Sequence, residues 1–356
     1  MSSRETPQLQ LGWDIGGAHV KACLLQDGSV RDIAQWPCPL WQGMQHLDTA
    51  LALARSRWAD AWDQGVAHAA TMTGELADLF AGRQEGVVRI AGQLAQSLGP
   101  SLVLFDAGFA WHAPDEAGPH WRGIASANWC ATARVLASRV GDALLVDIGS
   151  TTTDLVPLRG GRVAAEGKSD ADRLATGELV YQGVVRTPLC ALGPRVRWHE
   201  RMLNVMNELF ATTADVYRLT GELAADHDQA ATADGRGKDE EATRQRLARM
   251  LGCDAADGSP CDWLALARWW KDAQLREIQW NLARVGERAG LPADAPVVGA
   301  GSGTFLAAQL AARTGRPFLR YADVVLPVPA ADASLASWAD VCAPAVSVAL
   351  LASGRG

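Results

Sequence analysis

Paired cysteines are absent from this sequence, since its seven cysteines lie far apart and never occur with the CxxC spacing. That pattern argues against a disulfide framework and against a zinc or iron–sulfur site. A Walker A sequence is missing, and so is a basic N-terminal stretch followed by an apolar run. No segment has the uninterrupted apolar length that spans a bilayer. These absences predict a cytoplasmic protein with no membrane partner.

An excess of positive charge is also lacking, because 33 Lys and Arg residues face 40 Asp and Glu residues, for a net charge of -7. A large phosphate-backbone footprint needs a basic surface, so nucleic acid is not an expected partner. At 356 residues, the chain is too long for one ordinary core. Two domains, each with its own core, are therefore predicted.

Two segments of the sequence repeat each other at an offset of 133 residues (147 − 14). LGWDIGGAHVKACLLQDGSV, which begins at residue 11, aligns without gaps with LLVDIGSTTTDLVPLRGGRV, which begins at residue 144. Asp14 aligns with Asp147, and the turn glycine Gly28 aligns with Gly161. Each segment has apolar runs around Gly-containing turns, which predicts a three-stranded meander in each copy. The repeat therefore indicates two homologous lobes.

The first copy ends a strand with the carboxylate of Asp14 and follows it with two glycines, Gly16 and Gly17. Backbone amides in such a turn form a concavity for phosphate oxygens. Asp14 would hold Mg²⁺, and Lys21 would reach phosphate as a point charge. His19 either contacts the phosphate or packs.

The second copy adds a row of hydroxyl groups and a second carboxylate to the same turn. It consists of Asp147, Gly149, Ser150, Thr151, Thr152, Thr153 and Asp154. Either copy alone is compatible with an ordinary turn, in which hydroxyls satisfy backbone groups. Two copies in register favour phosphate binding, with Asp14, Lys21, Asp147 and Asp154 as catalytic residues and with Asp14 and Asp147 as metal ligands.

A third glycine-rich segment, PVVGAGSGT over 296–304, resembles a strand that enters a loop and then a helix. Its spacing is GxGxG rather than the GxGxxG of a dinucleotide site. The N-terminus of the helix would bind an anion. The phosphate-binding residues predicted here are Gly299, Gly301, Ser302 and Gly303.

The hydrophobic pattern alternates helix and strand between the two copies, which predicts an α/β lobe. We predict helices over 43–64, 74–80 and 126–139, and a strand over 102–105. The later segments predict a helical insertion at about 190–290, with amphipathic runs over 197–219 and 262–289 around a charged surface loop, 226–241. Two further helices are predicted over 304–313 and 333–352.

These elements predict a first lobe at 8–140, a second lobe at 141–325, and a C-terminal segment, 326–356, that packs back on the first lobe. The three motifs in this order resemble the superfamily of acetate kinases, sugar kinases, heat-shock chaperones and actin. That resemblance covers nearly the whole chain. It implies duplicated ribonuclease H-like, actin-like lobes around a central cleft.

Three further runs, TMTGELADLF (71–80), ASANWCATA (125–133) and TGELVYQGVVRTPLCAL (176–192), resemble the hydantoinase A/oxoprolinase-related branch. More narrowly, they are similar to members linked to tetrahydromethanopterin-dependent C1 transfer, the methanofuran or methylofuran synthases of methanogens and methylotrophic bacteria. The resemblance implies that a phenol of the γ-glutamyl-tyramine type displaces diphosphate from a furan-methyl diphosphate. Mg²⁺ and the two loops would stabilise the departing diphosphate, and ATP would not be required.

The same runs supply candidates for binding the phenolic acceptor, either as substrate contacts or as scaffold: Glu75, Asp78, Asn128, Glu178, Tyr181, Arg186 and Thr187. Glu178 or Asp154 would take the phenol proton, and Arg186 would pair with a carboxylate or phosphate of the substrate. Two alternatives remain open. One is an ATP-dependent kinase or a hydantoinase/oxoprolinase-like hydrolase, and the other is an ATPase that activates a partner.

Overall fold

The computed structural model describes residues 8–326 and 332–354, and it contains two six-stranded sheets and one hairpin. The first sheet has the strand order β3-β2-β1-β4-β5-β6. Its central strands β1, β4 and β5 run parallel, while β2 and β3 return antiparallel as a meander. The strands are β1 (Leu9–Ile15), β2 (His19–Gln26), β3 (Ser29–Pro37), β4 (Ala67–Met72), β5 (Leu102–Phe105) and β6 (Trp111–His112).

The second sheet repeats this arrangement in the order β10-β8-β7-β13-β14, with β9 paired to β8. Strand β7 runs parallel to β13, which runs parallel to β14, and β8 is again antiparallel. The hairpin β11-β12 lies apart from both sheets. The strands are β7 (Ala143–Ile148), β8 (Thr153–Arg159), β9 (Arg162–Val163), β10 (Leu179–Val180), β11 (Arg195–Trp198), β12 (Arg201–Asn204), β13 (Val297–Ala300) and β14 (Phe318–Arg320).

The duplication predicted from the sequence is confirmed in the strand register. Asp14 pairs with Lys21 across β1 and β2, and Asp147 pairs with Asp154 across β7 and β8. The hairpin turns also match, because Gly28 and Gly161 both have a φ of 74°, in the left-handed region that glycine adopts without strain. The fold is therefore the predicted α/β fold with duplicated, actin-like lobes.

Helices form three layers around the two sheets. The helices are α1 (Gln45–Arg57), α2 (Ala59–Asp63), α3 (Arg83–Leu98), α4 (Ala117–Ile124), α5 (Asn128–Val140), α6 (Asp170–Thr176), α7 (Thr213–Leu219), α8 (Glu240–Arg249), α9 (Pro260–Arg288), α10 (Thr304–Thr314), α11 (Tyr321–Val325), α12 (Ala333–Val341) and α13 (Ala343–Ser353). Helices α1, α3 and α4 cover the outer face of the first sheet, and α7, α8, α9 and α10 cover that of the second. Helices α5, α11, α12 and α13 lie between the sheets.

Helix α13 packs directly on the first sheet through Gly12 of β1. A Cβ at residue 12 would lie 2.3 Å from the carbonyl oxygen of Ala345 and 2.6 Å from Cβ of Ala349. Only glycine fits at this close approach, so the C-terminal helix contacts the strand that carries Asp14. The predicted C-terminal segment lies partly outside the described residues, because residues 327–331 and 355–356 are not described.

The helix predicted over 197–219 is wrong. Strands β11 and β12 occupy its first half, and only α7 is helical. Val196 and Trp198 are buried while Arg195 and Arg197 are exposed, a two-residue period that fits a strand. His199, at the turn, has a φ of 52°.

Two other helix predictions need smaller corrections. The helix predicted over 43–64 is broken at Trp58, and that predicted over 74–80 is a single 3-10 turn, Gly74–Leu76. The charged loop 226–241 is tied to the insertion, because Asp228 pairs with Arg218 and Asp234 pairs with Arg246.

The helix predicted over 333–352 consists of α12 and α13, which bend by 92° at Cys342. Among the described residues, no single helix is long and apolar enough to cross a membrane. The bent pair reaches that length and composition only when both helices are taken together.

Candidate active site

A cavity of about 570 Å³ lies where the first turns of both repeats meet. The C-terminal helix also reaches it, through Pro344. Many residues predicted from the sequence line this cavity: Asp14, Gly16, Gly17, His19, Lys21, Asp78, Asn128, Asp147, Gly149, Ser150, Thr151, Thr152, Asp154, Tyr181 and Arg186. The fold thus brings together two loops that are 133 residues apart in sequence (147 − 14).

The two loops close with the same hydrogen bond. The amide of Gly16 donates to the carbonyl of His19 at 2.9 Å, and the amide of Gly149 donates to the carbonyl of Thr152 at 2.8 Å. A Cβ added to Gly17 would meet no atom within 4 Å, so this glycine faces open space. Such turns present the remaining amides to a bound anion.

The run 176–192 holds the second loop in place. Val184 donates its amide to the carbonyl of Gly149, and Val185 and Arg186 donate theirs to the carbonyl of Ser150. A Cβ at Gly183 would lie 2.5 Å from the backbone of Ser150, so only glycine allows this contact. This run therefore positions the loop as well as contributing Tyr181 and Arg186 to the cavity.

Three carboxylates lie near the partly buried amine of Lys21: those of the buried Asp14 and Asp147 and of the partly buried Asp154. Nζ of Lys21 lies 3.9 Å from Oδ2 of Asp14. Burial raises the pKa of Asp14, although Lys21 opposes this, and burial together with Asp154 raises the pKa of Asp147 to about 7. Burial alone would lower the pKa of Lys21, but Asp14 and the other carboxylates raise it overall. Lys21 therefore stays protonated and contributes a positive charge to the lining of the cavity.

His19 also lines the cavity, near the cations Lys21 and Arg186. Burial, Lys21 and Arg186 lower its pKa to about 4. The imidazole is therefore neutral at pH 7 and adds no charge to that of Lys21 and Arg186. Asp154 is held from the other side by Arg173, whose Nη2 donates to Oδ1 of Asp154 at 2.8 Å.

The family model for hydantoinase/oxoprolinase matches residues 67–321, more than two thirds of the chain. The chain belongs to the hydantoinase/oxoprolinase family. It is 31% identical over 282 residues to a protein of Methanocaldococcus jannaschii, covering 79% of this chain and 83% of the relative. That protein is named (4-{4-[2-(gamma-L-glutamylamino)ethyl]phenoxymethyl}furan-2-yl)methanamine synthase.

A synthase of the same name from Methanococcus vannielii is 32% identical over 148 residues, 42% of this chain and 66% of that one. Among solved structures, a nucleotide-free acetone carboxylase matches with a TM-score of 0.50 at 9% identity, over 84% of this chain and 66% of that chain. This last likeness concerns the fold alone.

The residues of this hydantoinase/oxoprolinase family member fit a Mg²⁺ ion. Oδ1 of Asp14 is buried and has no hydrogen-bond partner among the described residues. Asp14 and Asp147 both line the cavity beside the two loops. No group of three or more His, Cys, Asp or Glu side chains is placed to hold a metal within the described ranges. Mg²⁺ commonly takes one or two carboxylates and completes its shell with water and substrate phosphate, so two carboxylates are enough.

The third glycine motif, Gly299, Gly301, Ser302 and Gly303, which was predicted to bind phosphate, is not part of the lining of this cavity. Two of its amides are already used within the protein. Gly301 donates to the carbonyl of Asp340 and Gly303 to that of Ile148, both at 2.8 Å. Gly299 packs against the ring of Phe318. These glycines therefore allow close packing behind the second loop.

Four other predicted residues also lie outside the cavity lining. Thr153 donates its hydroxyl to the carbonyl of Gln182, and the hydroxyl of Thr187 accepts from the amide of Gly183. Glu178 accepts hydrogen bonds from the amides of Glu166 and Gly167, one on each carboxylate oxygen. Glu75 is buried, and its Oε1 accepts hydrogen bonds from Arg83 and Ser126.

Several cavity residues of this family member were not among the site residues predicted from the sequence. Arg173, with Trp129 stacked on its guanidinium at 4.0 Å, lines the cavity beside Asp154. Ser126 and Asp170 also line it, with their side-chain oxygens 3.0 Å apart. Trp41 and Leu76 complete the mouth. Tryptophan is common at binding surfaces, but the sequence alone does not separate Trp41 and Trp129 from the tryptophans of the core.

Proposed function

We propose that this chain is a synthase of the methanofuran or methylofuran type, which joins a phenol oxygen to a furanylmethyl carbon and releases diphosphate. One observation carries the proposal. Two duplicated turns, from two lobes, meet beside Lys21 in a cavity whose other walls include aromatic, acidic and arginine side chains. The relative named as a synthase of a phenoxymethyl furan compound, 31% identical to this chain, supports the choice of chemistry.

The proposed step balances as a displacement. The bond between the furanylmethyl carbon and a diphosphate oxygen breaks, and its electron pair leaves with the diphosphate. The phenol oxygen forms the new bond to that carbon and loses its proton. The product is an aryl ether, which is the linkage in the phenoxymethyl furan compound after which the two related synthases are named.

The chain's own residues support each part of this step. Free amides of the two turns and the charge of Lys21 would bind the diphosphate and stabilise the charge that grows on it. Asp14 and Asp147 would hold Mg²⁺, which supplies further charge neutralisation at the diphosphate oxygens. Asp154 would accept the phenol proton, because it lines the cavity and Arg173 fixes its orientation.

The cavity favours this function over an ATP-dependent one. It extends from the two turns toward Trp41, Leu76 and Tyr181. A nucleotide would be expected at the third motif in an actin-like fold. There, the amides of Gly301 and Gly303 donate hydrogen bonds within the protein instead. The proposed reaction consumes no ATP, because the furan substrate already carries its diphosphate leaving group.

The test is to supply the protein with Mg²⁺, an aminomethyl-furanmethyl diphosphate and γ-glutamyl-tyramine, and to follow two products. We expect diphosphate release and formation of the aryl ether, measured by mass spectrometry, in equal amounts. Calorimetric titration should show tight binding of the furan diphosphate and weak binding of ATP. ATP hydrolysis without ether formation would instead support the kinase or hydrolase alternative.

A further inference from the structure

Three large apolar side chains are exposed at the mouth of the cavity. Trp41 is 43% exposed, Leu76 is 50% exposed and Tyr181 is 63% exposed, and all three line the cavity. Single exposed apolar residues are ordinary on protein surfaces, but a group at the edge of a polar cleft indicates a binding surface. We call these three residues, two aromatic rings and one leucine, the aromatic rim.

The rim is attached to the loops that we assign to the diphosphate. Trp41 belongs to the 3-10 turn Leu40–Gln42, and the amide of Leu40 donates to the carbonyl of Gly17 at 3.1 Å. Leu40 itself is fully buried, which anchors the turn. Trp41 is therefore fixed beside the first loop.

Tyr181 is attached to the second loop in a corresponding way. It lies two residues before Gly183, whose backbone packs against Ser150. The two rings thus come from different lobes and border the same cavity, next to the turns where the leaving group would be bound. A phenol ring bound at these side chains would lie next to the turns assigned to the diphosphate, with its oxygen near the carbon that it attacks.

A cation completes the rim. The guanidinium of Arg186 lies 4.9 Å from the centre of the Trp41 ring, and the backbone amide of Arg186 donates to Ser150. Arg186 therefore connects the rim with the second loop. Its charge attracts the oxygen of a phenol, while aromatic side chains favour a stacked ring.

We infer that the aromatic rim is the subsite for the phenol ring of the acceptor, with Trp41 and Tyr181 as its contact residues. The inference rests on the proposed function and adds to it, because it separates the acceptor subsite from the diphosphate subsite. Each subsite is composed of residues from both lobes.

Steady-state kinetics with Trp41→Ala and Tyr181→Ala test this assignment. With saturating furan diphosphate, either variant should raise KM for the phenolic acceptor by about tenfold, the scale of a lost aromatic contact. The Kd of the furan diphosphate, measured by calorimetry, should stay within about twofold of the wild type. Trp41→Phe should recover most of the acceptor affinity, because it keeps a ring.

The chain offers a matched control in Trp280 of α9. Trp280 is 58% exposed and also lies against an arginine, Arg284, at 4.4 Å, but it does not line the cavity. Trp280→Ala should therefore leave both constants unchanged. A circular-dichroism melt of each variant shows that the fold is retained.

Two results would overturn the assignment, and they are distinguishable from each other. If the wild type forms the ether and Trp41→Ala has an unchanged acceptor KM, the rim is not the phenol subsite and the proposed function stands. If the wild type forms no ether and Trp41→Ala weakens ATP binding, the rim holds a nucleotide base, and both the rim assignment and the proposed function fall.

Discussion

Arg173 donates a hydrogen bond to Asp154 at 2.8 Å while its guanidinium lies 4.0 Å from the centre of the Trp129 ring. Arg173 is only 2% exposed, so this is a nearly buried ion pair that is packed from one side by an aromatic ring. Asp154 borders the cavity, and its orientation depends on this contact. The pair therefore links the stability of the second lobe to the geometry of the site.

Removing Arg173 should cost both stability and activity. Arg173→Met leaves Asp154 without its charged partner, and we expect a loss of about 3 kcal/mol in the free energy of unfolding, measured in urea. Arg57→Met is the control, because Arg57 pairs with Asp32 at 2.6 Å on the surface, where an ion pair contributes less than about 1 kcal/mol. Equal losses in the two variants would contradict a special role for Arg173.

Asp147 should be essential for turnover but not for folding. Asp147→Asn keeps the size of the side chain and removes a charge from a buried position, so the melting temperature should not fall. Ether formation and diphosphate release should both drop below detection. Asp226→Asn, at an exposed aspartate outside the cavity lining, should behave like the wild type. Wild-type turnover by Asp147→Asn would show that the cleft is wrongly assigned.

Gly301 contacts the carboxylate of Asp147 so closely that no side chain fits. Its φ is 81°, and a Cβ there would lie 2.2 Å from the carbonyl oxygen of Ile148 and 2.6 Å from Oδ1 of Asp147. We expect Gly301→Ala to lower the free energy of unfolding by about 2–4 kcal/mol, from backbone strain and overpacking together, and to reduce activity by displacing Asp147.

The comparison for Gly301 is Gly315, at the end of α10. Gly315 has a φ of 66°, but a Cβ there would meet no atom within 4 Å. Gly315→Ala should cost about 1 kcal/mol, from strain alone, and should leave activity unchanged. Similar activity losses in both variants would mean that contact with Asp147 is not what matters at residue 301.

The duplication could be predicted because it depends on local chemistry. A carboxylate before glycines and a turn at Gly28 or Gly161 are specified by a few adjacent residues, and both copies have the predicted turns. The hairpin β11-β12 could not be predicted as securely. Its strands are four residues each, too short for a two-residue period to be distinguished from a helical one.

The parts of the site that depend on distant contacts also escaped prediction. Arg173 reaches Asp154 from 19 residues away and Trp129 from 44 residues away (173 − 129), and no spacing marks such pairs. Glu178 carries a carboxylate, as many catalytic bases do, but each of its oxygens accepts a hydrogen bond from a backbone amide. The glycines of the third motif have a spacing typical of phosphate loops, yet their amides are satisfied by neighbouring strands and helices. Sequence reveals which groups are present but not which are already paired.

His68 should make the first lobe sensitive to acid. It is buried on β4, next to the strand that carries Asp14, and its Nδ1 accepts a hydrogen bond from Nε1 of Trp13 at 3.3 Å. Burial lowers the pKa of His68 to about 4 from its usual 6.5. Below pH 6.5 the unfolded chain therefore takes up a proton that the folded chain does not, and stability falls as the pH decreases toward 4.

The expected loss of folding free energy follows from the difference between the two pKa values of His68. A pKa that falls from 6.5 to about 4 in the folded state, at about 1.4 kcal/mol per pH unit, gives about 3 kcal/mol between neutral pH and pH 4. His68→Gln keeps an acceptor for Trp13 but does not titrate, so its free energy of unfolding should lose about 3 kcal/mol less than that of the wild type over the same range. Urea titrations at pH 7, 5.5 and 4, followed by tryptophan fluorescence, measure the difference. Parallel curves for the two proteins would mean that His68 is protonated in the folded state, and that its hydrogen bond with Trp13 is not maintained.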